Sequence, residues 1–118
     1  MNIENIMRLF GSFAGIDEDS VTEYRFLCEM AEENISSRLR ETAKENDNSR
    51  TEYAAAALAY YRYVLLSFTD EGGGNITIGE ISLKSPEKKL EYAEKILKEA
   101  LADISDIAED KDFVFERI

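Results

Sequence analysis

The residues to weigh first are those that could hold a ligand or move a proton. Asp17, Asp19 and Glu29 have a spacing suggestive of a calcium loop. The sixth loop position is Thr22, where the sharp turn needs Gly, and no oxygen ligand sits at the fifth. The stretch is read as the solvated start of a helix. Gly72-Gly73-Gly74 could cradle a phosphate. Phosphate loops run into a helix, and the P-loop adds a Lys-Ser/Thr pair. A strand-like segment follows here, so the glycines are read as a loop. Cys28 is the one thiol and the chain has no His. That removes the usual base, the usual metal ligand and every His-dependent triad. A thiol with no imidazole is a poor nucleophile. Paired carboxylates are plentiful because acids are plentiful, so their spacing carries little information. The expectation is no enzyme, no cofactor and no metal.

Charge narrows the partners. The 118 residues carry a net charge of −11. Nucleic acid wants a basic footprint, and so does an anionic membrane surface. Neither sequence-specific nucleic-acid binding nor membrane binding is expected. An acidic wall past which nucleic acid slides is still compatible. A lone Cys allows no intrachain disulfide and suits a reducing compartment. The opening MNIENIMRLF has no long apolar run and no cleavage site, so no signal peptide is expected. Ala54 to Phe68 falls short of the ~20 residues of a membrane span and carries Arg62 in its middle.

The elements that position these residues are mainly helical. Arg50 to Asp70 is apolar almost all the way round from Tyr53 to Phe68, the mark of a helix buried on most sides. The run Ala54–Ala57 leaves room for another backbone. Arg62 either lays its stem along the helix with its head in water or joins a structural ion pair. Residues 2–14 read as a short helix with Ile3, Ile6, Met7, Phe10 and Phe13 at helical spacing and Gly15 as its stop. It docks on the chain's own core or acts as an arm on a neighbouring subunit. Ser20-Val21-Thr22-Glu23 matches a capping box opening a helix to about Lys44. Val21, Tyr24, Leu27, Cys28, Ala31, Ile35 and Leu39 form its inner stripe. Ser49-Arg50-Thr51-Glu52 matches a second box.

The rest is smaller and stickier. Ile76 and Ile78 share one face, and Ile81 and Leu83 resume after Gly79-Glu80. That fits a β-hairpin over 75–84, or one strand with a Gly bulge. Ser85-Pro86 opens the last helix. Its seam is Leu90, Ala93, Leu97, Ala100, Ile104 and Ile107. Asp103, Asp106, Glu109 and Asp110 crowd the far end, where the helix dipole prefers cations. They form either a solvation patch or the seat of a basic partner. Phe113, Val114 and Phe115 lie in a tail, 112–118, expected to pair as a strand with 75–84, within the chain or with a neighbour. The fold class expected is a single mainly α domain over 1–118. About four helices pack round the central buried helix 50–70, with a small β-hairpin and a C-terminal β-strand. The interface candidates are Ile76, Ile78, Ile81, Leu83, Phe113, Phe115, Asp103, Asp106, Glu109 and Asp110.

Three segments in order carry a resemblance: AAAALAYYRYVL at Ala54–Leu65, ITIGEISLKS at Ile76–Ser85 and ISDIAEDKDFVFERI at Ile104–Ile118. Together they resemble the small head–tail connector, or head-completion, proteins of Firmicutes phages and prophages. The resemblance spans roughly residues 20–118 and is clearest from 50 onward. It implies a helical bundle with a small β element and self-association into a ring between portal and tail. It also implies portal and tail-completion proteins as partners, with a location in the bacterial cytoplasm during assembly and then in the virion neck. It transfers no catalytic residue. Two other roles fit the same residues: another neck, tail-completion or packaging-accessory protein, or a small adaptor that binds a host protein.

Overall fold

A computed structural model of the chain describes residues 1–41, 43–69 and 86–108. Over those residues the chain is mainly helical, with one isolated antiparallel bridge, Leu39 to Ala108, and no strand. The segments expected to form the hairpin (75–84) and the C-terminal strand (112–118) lie outside the described residues.

Helix α1 spans Ile3–Ala14, capped by the Asn2 side chain, which accepts from the Glu4 N–H. It ends at Gly15, whose φ of 71° is the left-handed conformation that favours glycine. The Ile16 N–H then donates to the Gly11 carbonyl at 2.9 Å and closes the turn. Ile6 and Phe10 are fully buried against the rest of the chain. This helix therefore docks on its own core.

The next stretch departs from the expected start. Asp17, in extended conformation, accepts the Ser20 N–H at 2.9 Å and caps α2 (Glu18–Val21). A 3₁₀ turn over Thr22–Tyr24 leads into α3 (Arg25–Arg38). Asp caps as well as Ser does, and the turn at Gly15 delivers Asp17 to the position first. The Ser20 capping box does not form. Nor does α3 run on to Lys44. Leu39 is extended, and the Arg40 N–H donates to the Ile107 carbonyl at 2.7 Å. A tertiary hydrogen bond thus takes the backbone out of the helix. The inner stripe is otherwise as expected, with Val21, Leu27, Cys28, Ala31 and Ile35 buried.

Helix α4 (Asn48–Thr69) is the spine. Every residue from Ala54 to Tyr61 is buried, as is Val64. Both ends of the expected spine are more open, since Tyr53 and Leu66 are exposed. Helices α1, α3 and α5 (Pro86–Asp103) all pack on α4, and α1 also packs on α3. Four fully buried alanines, Ala54–Ala57, leave room for neighbours on several sides at once. On α5 the buried seam is Ala93, Ile96, Leu97, Ala100 and Leu101, with Ile104 and Ile107 in the turns that follow. Arg50, near the start of α4, reaches Asp103 at the end of α5 and Asp106 in the turns after it. Tyr60 and Tyr61 feel Tyr92 and Glu94. The two helices therefore run antiparallel.

Candidate functional site

Polar groups gather at the start of α4. Glu52 is only 6% exposed, yet it does not reach back to Ser49 as the second capping box would require. Its carboxylate accepts the Asn2 N–H at 2.7 Å and the Asn5 amide at 3.2 Å. Asn2 and Asn5 open α1, so a carboxylate from α4 sits at the positive end of another helix. The local reach-back is made one turn earlier, where Asp47 accepts the Lys44 N–H at 2.9 Å. Thr51, also buried, turns its hydroxyl onto the Asn48 carbonyl at 3.0 Å.

Arg50 fastens the other side. One guanidinium nitrogen donates to the Asp103 carbonyl at 2.7 Å and to Asp106 at 3.2 Å. The other donates to Asp47 at 3.0 Å and to Asp106 at 3.3 Å. The helix end crowded with acids thus receives its cation from the same chain, and a carbonyl left over at the end of α5 receives a donor. Backbone and Arg50 hydrogen bonds hold the Asp47 carboxyl below its ordinary range. The Arg50 hydrogen bond does the same to Asp106. Of the expected interface residues, the structure brings Asp103 and Asp106 together through Arg50. Ile76, Ile78, Ile81, Leu83, Glu109, Asp110, Phe113 and Phe115 lie outside the described residues.

Between α1 and α4 the packing is aromatic. Phe10 meets Tyr63 edge to face at 5.5 Å, and Tyr24 meets Tyr63 in the same way at 5.1 Å. Phe13 bridges Tyr53 at 5.4 Å and Tyr60 at 5.8 Å. These are favourable geometries for ring pairs. Burial, with Tyr92 and Tyr63 nearby, pushes the Tyr60 hydroxyl up to about 12. Burial also pushes the Cys28 thiol up to about 12, with Glu29 adding to it. Such a thiol holds almost no thiolate at neutral pH, so Cys28 is core. Arg62 is half-buried, and its guanidinium is shifted down by desolvation and then by Arg38. Among the described residues no carboxylate is paired with it.

Among the described residues no group of three His, Cys, Asp or Glu side chains could hold a metal ion. No helix there is long and apolar enough to cross a membrane. What the surface offers is contact area. Phe26 and Met30 stand on the outer face of α3 at 52% and 53% exposure, and Tyr92 stands on α5 at 48%. Phe26 and Met30 are not among the interface residues expected from the sequence, and the signal for them is their spacing. They are four apart and fall off the Leu27–Ala31–Ile35 stripe, which leaves them facing out. Comparison of the chain with protein families, with curated proteins and with solved structures yields no match.

Proposed function

We propose that the chain is a non-catalytic structural protein of a phage or prophage virion, joining the head portal to the tail as a self-associating connector. The observation that carries this reading is the ordered resemblance of Ala54–Leu65, Ile76–Ser85 and Ile104–Ile118 to connector proteins. The helical core supports it. Among the described residues its buried polar side chains hold structure, Glu52 tying α4 to α1 and Thr51 bonding within its own helix. In this reading 75–84 forms a hairpin and the 112–118 tail a strand, pairing across subunits by strand addition. Portal and tail-completion proteins are the partners. The place of action is the bacterial cytoplasm during assembly and the virion neck afterwards.

The test is capture of the protein by purified portal, together with deletion of its gene. The reading expects portal binding, and filled heads without tails in the deletion. Normal tailed particles in the deletion would overturn it. An acidic surface facing the channel would keep DNA mobile. Testing that idea calls for D103N, since the Asp106 carboxylate is already engaged by Arg50. Slower genome passage is the expected result, and unchanged ejection counts against it.

A further inference from the structure

We propose that two copies of this chain meet head to tail, the Phe26–Met30 face of α3 on one copy seating against the Tyr92 face of α5 on the next. The inference rests on the self-association part of the reading above, and supplies surfaces that reading does not name. Phe26 and Met30 lie one helical turn apart and both are more than half exposed. Glu23, Glu29 and Glu33 surround them on the exposed face. Among the described residues of this face Arg25 offsets these charges, and it is spent on Glu29 at 2.8 Å. Tyr92 stands one turn from Lys88, Lys89 and Lys95 on α5, with Glu99 two turns further along the same stripe. One face is thus apolar with an acidic rim, and the other aromatic with a rim in which lysines outnumber acids.

The charge pattern decides the symmetry. A two-fold contact would set acids against acids on α3, or lysines against lysines on α5. Like charges facing each other suppress such pairings. The complementary pairing is heterologous, α3 against α5, and heterologous contacts build rings or filaments. Among the described residues both faces are left open. Both helices pack on α4 and scarcely touch each other along their lengths, so a copy can present one face and receive on the other.

Single cysteines test this directly, because the buried Cys28 thiol is silent. Purified full-length M30C and Y92C are oxidised separately and as a mixture at high concentration. The proposal expects a disulfide-linked pair in the mixture and little in either variant alone. Linked M30C pairs or Y92C pairs in excess of the mixed pair would overturn it, as would no linked species at all. An M30C thiol unreactive in dilute monomer would also overturn it, because another segment of the same chain would then cover the face. A second pair of variants guards against misfolding. E33K and K95E should each weaken self-association roughly two- to five-fold, and mixing them should restore it, since a rim ion pair is worth that much. No rescue on mixing would refute the charge argument. Portal capture by either variant reports on the connector reading separately.

Discussion

The middle and the start of α4 do opposite jobs with opposite chemistry. From Ala54 to Val64 the helix is held by apolar packing from three neighbours. From Asp47 to Glu52 it is held by named hydrogen bonds, Glu52 to α1 and Arg50 to the end of α5. Packing is strong but tolerant of sliding, because apolar contact has no direction. Hydrogen bonds contribute less but fix which residues meet. The contrast teaches that the spine gives this fold its stability, and one polar turn at its base gives it alignment.

The largest effect should come from the packed region. Phe10→Ala removes a fully buried ring that touches both Tyr24 and Tyr63. A loss of about 3–5 kcal/mol is expected, read by denaturant unfolding of the variant against the parent. A loss under about 1 kcal/mol would mean that α1 contributes little to the core.

The polar turn should respond less, and differently. Glu52→Ala leaves the Asn2 N–H and the Asn5 amide without their acceptor. A loss of about 1–3 kcal/mol is expected, together with faster amide exchange confined to the first turn of α1. Glu52→Gln keeps one acceptor and the shape, so its loss should fall between the two proteins. If Glu52→Gln is as damaging as Glu52→Ala, charge at the helix start matters more than the hydrogen bonds.

The smallest effect is the one pH reveals. Asp47 and Asp106 have folded-state pKa values below their unfolded ones. Their contribution is present above the unfolded carboxylate range and disappears as pH falls through the lowered folded values. Asp106 is well exposed, and added salt should weaken its share. In the parent, stability should therefore fall on acidification in this window. Arg50→Gln should flatten part of that slope. An unchanged slope would show that the clamp at the end of α5 is not thermodynamically coupled to folding.

The same contrast explains what could be read from the chain. The spine, the inner stripe of α3, the α5 seam and the stop at Gly15 follow from periodicity and glycine conformation, which are local. The starts and ends were harder wherever two local devices competed. Asp17 and Ser20 can both cap, and only the arrival of the chain from Gly15 decides between them. Glu52 suits a capping box, and only the docking of α1 shows where its oxygens go. Leu39 could continue a helix, and only the Arg40 bond to Ile107 ends it. The acids at Asp103 and Asp106 showed the need for a cation without saying that Arg50, 53 residues from Asp103, would supply it. Of the expected interface, the acidic end was legible as a charge excess. The signal for the Phe26–Met30 pair lies in its spacing alone, four apart and off the Leu27–Ala31–Ile35 stripe.

Hydrogen exchange along α4 tests the central claim most directly. If three helices enclose the spine, the amides of Ala55 to Val64 exchange most slowly in the chain and approach the rate set by global unfolding. Amides in the first turn of α1 should exchange faster, and faster still in Glu52→Ala. Exchange across Ala55 to Val64 as rapid as at the start of α1 would contradict the account, because no enclosed spine could open that readily.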